Sequence, residues 1–407
     1  MKKTVLREYA KLIAKAGANV QKGQEVFITA ELDQPEFVAM VVDECYKLKA
    51  KKVVVDWSYQ PLTKLHVRYR SVKTQSTLDN YEEARWQHYV DTIPCRIYLI
   101  SEDPDGLRGV NQEKMAKSQQ AKYPIIKGYR DQIENKYQWC IAAVPGEKWA
   151  KKLFPELRAS QAVEKLWEAI LKTSRVTDDP IKAWEDHNRD LHDRCEYLNN
   201  LHIRELRYKS SNGTDFTVGM IPEAQFCGGG ETSLQGIFFN PNIPTEECFI
   251  SPMRGVAEGI VYATKPLSYQ GQLISGFWIR FHEGKAVEWH AEENNELLTK
   301  LIEMDEGSRY LGECALVPFD SPINQTGLLF YNTLFDENAC CHLALGMGFA
   351  DTIRGFQNKT LDECRKLGVN DSMIHEDFMI GSADLSIDAV CEDGKTAAIF
   401  RNGTWAF

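Results

Sequence analysis

The sequence lacks the short motifs by which many enzymes and binding proteins are recognised. No GxGxxG or GxxxxGK[ST] string follows an apolar run, so nothing supports nucleotide binding. Neither HExxH nor GxSxG occurs, which excludes the zincin helix and the serine nucleophile elbow as local matches. There is also no run of about 18 apolar residues, so we expect no membrane span.

Paired cysteine motifs are also absent. The eleven cysteines are scattered and odd in number, they form no CxxC pair, and only Cys340 and Cys341 are adjacent. The first residues are charged and lack the apolar core of a signal peptide. We therefore expect a cytoplasmic protein whose thiols are reduced and mostly packed in the core. Without a cysteine cage, a metal ion would be bound by carboxylates and imidazoles.

Positive charge is scarce in the second half of the chain. Residues 1–179 carry 30 Lys and Arg against 24 Asp and Glu, a net charge of +6. Residues 180–407 carry 18 against 34, a net charge of −16. Such an acidic half attracts divalent metals or a substrate with an ammonium group. It argues against nucleic acid as a partner, because nucleic acid needs a basic face.

The first half alternates between helical and apolar patterns. Short, nearly continuous apolar runs predict strands over residues 25–30, 52–57, 96–100 and 139–145, with helices between them. Strands of this kind are typical of a parallel sheet covered on both faces. Residues 1–179 are therefore predicted to form a Rossmann-like α/β domain.

The pattern changes after the helix stop that ends at Pro180. A helix is predicted over residues 181–201, and an Asn-Gly turn then joins predicted strands over 204–208 and 215–220. Further strand-like runs follow. Residues 180–407 are therefore predicted to form a mixed α+β domain with an antiparallel sheet, so the fold class is α/β followed by α+β.

Four segments of the second half carry closely spaced acids and histidines. They are Pro-Thr-Glu-Glu at 244–247, Leu-Gly-Glu at 311–313, Asp-Glu-Asn-Ala-Cys-Cys-His at 336–342 and His-Glu-Asp at 375–377. Together they offer several carboxylates and two imidazoles, the ligands that a pair of divalent cations needs. If the segments meet in space, the chain is a metal-dependent hydrolase.

Two of these segments indicate a site from the residues alone. Glu313 lies in an otherwise apolar strand, where a buried carboxylate needs a cation, a metal or a protonated neighbour. His375 and Asp377 share one face of an extended chain, and Glu376 points to the other face. This pair suits a metal, although a His–Asp hydrogen bond at a strand edge fits the pattern equally well.

The other two segments are less specific. The polar residues 336–338 predict a polar loop held against the core, and His342 after it is either a metal ligand or a satisfied core histidine. Glu246 and Glu247 face opposite sides of an extended chain, so one is free to bind metal while the other acts as a base. The alternative for that pair is a surface turn.

In this order, the four segments resemble the family of aminopeptidase T and aminopeptidase S, which are dinuclear metallo-aminopeptidases, and the likeness extends over essentially the whole chain. The resemblance implies a Rossmann-like N-terminal part, a C-terminal catalytic part, two zinc or cobalt ions, and a homodimer acting on peptides with a free N-terminus. It implies metal ligands at Glu247, Glu313, His342, His375 and Asp377, with Glu337 as a further candidate.

One residue departs from the family pattern. Seven residues after the histidine ligand the family usually has tyrosine, whose phenol is suited to donate to a developing oxyanion, whereas this chain has Phe349. We expect a cytoplasmic, homodimeric aminopeptidase in which Glu313 bridges two ions and Glu246 is the general base. The alternatives are a metal-binding homologue with weak or lost turnover, suggested by Phe349, and a non-enzymatic scaffold with a merely acidic surface.

Overall fold

A computed structural model describes all of residues 1–407, and the chain forms two compact units. The first consists of residues 1–187 and 230–245, and the second of residues 188–229 and 246–407. The domain boundary predicted between residues 179 and 180 stays a prediction.

The chain contains helices and strands in nearly every part of its length. The α-helices are α1 (Lys3–Leu12), α2 (Pro35–Lys47), α3 (Gln60–Tyr69), α4 (Val72–Ser76), α5 (Asn80–Thr92), α6 (Gln112–Ile133), α7 (Glu147–Leu153), α8 (Ala159–Thr173), α9 (Pro180–Asn200), α10 (Asn295–Ile302), α11 (Thr333–Glu337) and α12 (Leu361–Leu367). The strands are β1 (Glu25–Glu31), β2 (Lys52–Ser58), β3 (Cys95–Ile100), β4 (Trp139–Ala143), β5 (Ile203–Lys209), β6 (Asp215–Met220), β7 (Glu231–Thr232), β8 (Phe238–Phe239), β9 (Asn242–Ile243), β10 (Cys248–Ile250), β11 (Pro252–Tyr262), β12 (Leu267–Tyr269), β13 (Gln272–His282), β14 (Lys285–Glu293), β15 (Leu311–Leu316), β16 (His342–Gly346), β17 (His375–Met379), β18 (Ser386–Cys391), β19 (Thr396–Arg401) and β20 (Thr404–Trp405).

The first unit is built on a parallel sheet in the order β2-β1-β3-β4-β9. Its strands are rich in apolar residues, of which Val26, Ile28, Ile97 and Leu99 are buried. Because helices alternate with these strands, both faces of the sheet can be covered. The parallel sheet predicted from the four apolar runs is confirmed, and the two-residue strand β9 adds a fifth member.

The second unit contains a nine-stranded antiparallel sheet in the order β12-β13-β11-β6-β5-β18-β19-β20, with β14 beside β13. The predicted hairpin is present as β5 and β6, joined by a turn in which Gly213 has φ of 104°. Glycine suits that position because a side chain disfavours positive φ. The predicted fold class, a parallel α/β part followed by a mixed α+β part, is confirmed.

A smaller antiparallel sheet in the second unit has the order β10-β15-β16-β17. One of its faces packs into the hydrophobic core through residues such as Cys314, Leu343 and Phe378. Because side chains alternate along a strand, the neighbouring residues point to the opposite face. This opposite face carries most of the acids and histidines singled out in the sequence.

Two further expectations concern helices and thiols. No helix combines the length and the apolar character needed to cross a membrane. All eleven cysteines are free thiols, and only Cys227 and Cys391 are more than slightly exposed. Packing therefore accounts for most of them.

Candidate metal centre

The register of the four-stranded sheet brings four of the predicted ligands to one face. Glu313 lies opposite Ala344, which in turn lies opposite Asp377. His342 is two residues from Ala344 on β16, and His375 is two residues from Asp377 on β17. The period of two along each strand therefore turns all four side chains to the same side.

The first group of possible ligands consists of Glu247, Glu313 and His342, all buried, with ligand atoms within 4.8 Å of one another. Glu247 directly precedes β10, and its Oε2 lies 3.2 Å from His342 Nε2. Two carboxylates and one imidazole at this spacing suit a divalent cation such as zinc.

The second group consists of Glu313, His375 and Asp377, again with ligand atoms within 4.8 Å of one another. His375 Nε2 lies 3.0 Å from Glu313 Oε2 and 3.3 Å from Asp377 Oδ1. Glu313 belongs to both groups. A carboxylate has two oxygens, so this one residue could offer an oxygen to each group.

Backbone carbonyls orient both imidazoles. His375 Nδ1 lies 2.7 Å from the Met347 carbonyl, and His342 Nδ1 lies 3.2 Å from the Cys340 carbonyl. A carbonyl only accepts, so each Nδ1 carries a proton. When the ring gives up its second proton to bind a metal, Nε2 is the nitrogen that has the lone pair. A metal-binding histidine usually has this arrangement.

Gly312 allows the close approach on which the His375 contact depends. A Cβ atom at this position would lie 2.1 Å from the Met347 carbonyl oxygen, well inside van der Waals contact. The glycine of the Leu-Gly-Glu segment thus makes room for the carbonyl that accepts from His375.

The segment of residues 336–338 is not the loop that the sequence predicted. Asp336 and Glu337 end the short helix α11, and both are buried. Asp336 accepts backbone N–H groups from Phe330 and Asn332 at 2.7 and 3.0 Å, so it fixes the segment before the helix. The predicted packing against the core is confirmed, but the predicted loop is wrong, because residues Thr333–Glu337 form a helical turn in which Asp336 accepts from backbone N–H groups.

Glu337 faces the two ligand groups. Asn338 Nδ2 donates to Glu337 Oε1 at 3.2 Å, while Asn338 Oδ1 accepts the Glu246 N–H at 2.8 Å. This amide therefore connects the helix α11 to the segment of Glu246 and Glu247. Glu246 is itself buried, although its carboxylate belongs to neither ligand group.

The pKa values reflect the crowding of acids around the two imidazoles. Burial raises the pKa of Glu313 to about 7, against the opposing effect of the His375 hydrogen bond. Burial also raises the pKa of Glu337, and the charge of Asp377 adds to this. For His342, burial lowers the pKa, but the contacts with Glu247 outweigh it and raise the value to about 9. These groups therefore hold protons that balance the negative charge of the neighbouring carboxylates. A divalent cation would replace these protons.

The donor set fits a metal ion in a second respect. Asp377 Oδ1 is buried, and although His375 Nε2 lies 3.3 Å away, the pair does not meet hydrogen-bond geometry. A buried carboxylate oxygen that is poorly hydrogen-bonded is costly, and a bound cation would remove that cost. The residues present therefore suit divalent metal ions.

Comparison with known proteins gives the family to which the chain is similar. The family model of thermophilic metalloproteases, M29, matches residues 2–405. The chain is 40% identical over 404 residues to aminopeptidase AmpS of Bacillus subtilis, covering 99% of this chain and 98% of that protein. It is 36% identical to aminopeptidase T of Thermus aquaticus, covering 98% of both. The solved structure of wild-type AmpT from Thermus thermophilus matches with a TM-score of 0.88 and 36% identity, over 100% of both chains.

The chain belongs to the M29 family of metalloproteases. The predicted resemblance to aminopeptidases T and S is therefore confirmed. Membership of a metalloprotease family also supports the use of divalent metal, in agreement with the two ligand groups.

In this M29 chain, Phe349 lies beside the ligand groups. Its ring centroid is 4.7 Å from that of His375 and 5.8 Å from that of Phe249. Ser251 fixes the backbone here, because its Oγ accepts the Phe349 N–H at 2.7 Å. The position at which the resemblance implies tyrosine thus contributes an apolar ring beside the candidate centre.

Sequence reasoning missed the groups that hold the ligands in place. In the sequence, Asn338 indicates only part of a polar loop, and nothing marks Ser251. The backbone carbonyls of Met347 and Cys340 cannot be identified from the amino-acid types, since every residue has a carbonyl. Only Gly312 gave a usable signal, as a glycine next to a candidate ligand.

Proposed function

We propose that the chain is a metal-dependent aminopeptidase that hydrolyses N-terminal residues from peptides at a dinuclear centre. The observation that carries the proposal is the sharing of Glu313 between two ligand groups in a member of the M29 family. The names of its relatives, aminopeptidases AmpS and T, support exopeptidase activity over a homologue without turnover. Zinc or cobalt is the proposed metal, because both accept mixed carboxylate and imidazole ligands.

The proposed ligand roles follow the two groups. Glu247 and His342 would hold one ion, His375 and Asp377 would hold the other, and Glu313, which belongs to both groups, would be shared between them. Glu337, which is hydrogen-bonded to Asp377 and feels the charges of Glu247 and Glu313, is a further candidate ligand. When bound, divalent cations supply Lewis acidity and make water a nucleophile at neutral pH.

The remaining residues handle protons and substrate. Glu246 is the proposed general base, because it is buried beside the ligand Glu247 and belongs to neither ligand group. The fixed Nδ1–H groups of His342 and His375 keep each Nε2 aimed at the centre. The net charge of −16 over residues 180–407 favours a substrate with a free α-ammonium group. We further propose a homodimer in the cytoplasm.

The experiment combines chelation with blocked substrates. Treatment with a chelator should abolish cleavage of aminoacyl anilides, and added Zn²⁺ or Co²⁺ should restore it. The same anilides with an acetylated amino group should not be cleaved, since the proposed recognition needs a free amine. Full activity of metal-free protein, or equal cleavage of blocked and free substrates, would contradict the proposal.

Two neighbouring residues on β17 provide a matched pair of variants. Asp377→Asn removes a proposed ligand and should lower kcat by about 100-fold or more. Glu376→Gln makes the same kind of change on the opposite face of the strand and should leave kcat within about threefold. Equal losses in the two variants would argue that the effect is general damage to the strand.

A further inference from the structure

Asn370 holds the loop that orients His375. The side chain is 1% exposed, and its Nδ2 donates to the Gly346 carbonyl at 2.6 Å and to the Gly307 carbonyl at 2.8 Å. The Asn370 carbonyl in turn accepts the Gly348 N–H at 2.9 Å. Asn370 thus binds the loop of residues 346–348 at both ends.

The middle residue of that loop is Met347. Its N–H donates to the Ile374 carbonyl at 2.7 Å, and its own carbonyl accepts from His375 Nδ1 at 2.7 Å. From the other side, Gly312 lies so close that a Cβ would be 2.1 Å from this carbonyl oxygen. The carbonyl is therefore held between Gly312 and a loop that Asn370 anchors.

The hydrogen bonds of Asn370 point to a specific use of its amide. Both Nδ2 contacts are donations to backbone carbonyls, while Oδ1 is buried and has no hydrogen-bond partner. A buried acceptor without a partner is unfavourable, so the residue is present for its donors. Aspartate has nearly the same shape but, when ionised, offers no donor at all.

We propose that Asn370 is a positioning residue for the metal ligand His375. By fixing the Met347 carbonyl, Asn370 sets which imidazole nitrogen carries the proton and directs Nε2 toward the ion that Glu313 and Asp377 also hold. This proposal rests on the ligand role proposed for His375 above. It predicts that loss of the Asn370 donors weakens one ion and spares the other.

The experiment measures metal binding rather than turnover. Metal-free protein is titrated with Co²⁺ by calorimetry, bound metal is counted by elemental analysis, and the unfolding temperature of the metal-free protein is recorded separately. Asn370→Asp should weaken one of two bound equivalents by roughly 10- to 100-fold and leave the other within about threefold. A general loss of structure would weaken both equivalents alike and would overturn the proposal.

Asn199 provides a matched control in the same unit. Its Nδ2 donates to the Phe226 carbonyl at 3.0 Å, and its Oδ1 accepts the Phe226 N–H at 2.7 Å. Asn199→Asp therefore removes an equivalent donor far from the loop in sequence, and should leave both equivalents unchanged. If Asn370→Asp does not fold, Asn370→Ala removes both donors without adding a charge and should weaken the same equivalent.

His375→Ala separates this proposal from the one on which it rests. If His375→Ala binds two equivalents with unchanged affinity, His375 is not a ligand and the proposed centre is wrong. If His375→Ala loses one equivalent while both Asn370 variants bind as the unmodified protein does, the centre stands and the positioning role of Asn370 is wrong.

Discussion

The ring of Phe349 packs against the ring of His375, with a distance of 4.7 Å between the two centroids. A phenylalanine here offers contact surface but no proton to a developing oxyanion. The Ser251 hydrogen bond fixes the backbone of this residue, so a ring of another kind would occupy the same place. Replacing Phe349 with tyrosine therefore tests what a hydroxyl at this position contributes to turnover.

We expect Phe349→Tyr to raise kcat without changing the number of bound ions. One oxyanion donor is worth roughly 100- to 1000-fold in turnover, which sets the upper limit of the gain. Steady-state kinetics on an aminoacyl anilide and a metal count provide the measurement. Phe249→Tyr is the control, since Phe249 is the other ring in contact with Phe349. A gain in both variants, or in neither, would exclude a specific role for a hydroxyl at position 349.

Substitution of Glu313 and substitution of Glu247 should remove different numbers of bound metal ions. Glu313 belongs to both ligand groups, whereas Glu247 belongs to one. We therefore expect Glu313→Gln to lose both ions and Glu247→Gln to lose one, with kcat lowered by more than about 100-fold in each. Elemental analysis of the purified variants gives the counts. Two ions in Glu313→Gln would show that this carboxylate is not shared.

The sequence predicted single residues of the candidate site, but it did not predict that their strands pair with one another. Glu313 stood out because a lone acid in an apolar strand needs a partner, and the His375–Asp377 pair stood out through the period of two. Their convergence depends on the pairing of β15, β16 and β17, which are distant in the chain. Long-range register of this kind is not encoded in any local pattern, so the family resemblance alone supplied it.

Other features were hidden for simpler physical reasons. Strand β9 has only two residues, too few for a period to appear, yet it joins the parallel sheet beside β4. The acids of α11 look like a polar loop in sequence because their partners are backbone groups that residue types do not identify. The Met347 carbonyl that accepts from His375 was invisible for the same reason.

The metal-free protein should become less stable as the pH rises. Glu313 has its pKa raised from 4.5 to about 7, so it binds a proton in the folded state that the unfolded chain has already lost. His342 has its pKa raised from 6.5 to about 9, so its stabilising contribution is complete below the unfolded value and is lost as the pH rises through 9. Both effects have the same sign, and stability should fall between about pH 5 and pH 9.

Calorimetric unfolding of chelated protein across this range tests the slope. Metal should reverse it, because a cation competes with protons for the same side chains and stabilises most at high pH. His342→Ala should flatten the upper part of the curve, while the exposed variant His282→Ala should not. A metal-free protein whose stability increases toward pH 9 would contradict the proton accumulation inferred for this site.

Asp336 should matter for stability rather than for metal binding. Its carboxylate is buried and accepts the backbone N–H groups of Phe330 and Asn332, so it fixes the chain just before Glu337. In Asp336→Asn, the amide turns a donor toward one of these N–H groups, and a hydrogen bond is lost. We expect the free energy of unfolding to fall by about 1 to 3 kcal/mol. Urea denaturation of the metal-free protein measures this, with the exposed Asp320→Asn as control. An unchanged midpoint would mean that the segment before Glu337 keeps its conformation without the carboxylate.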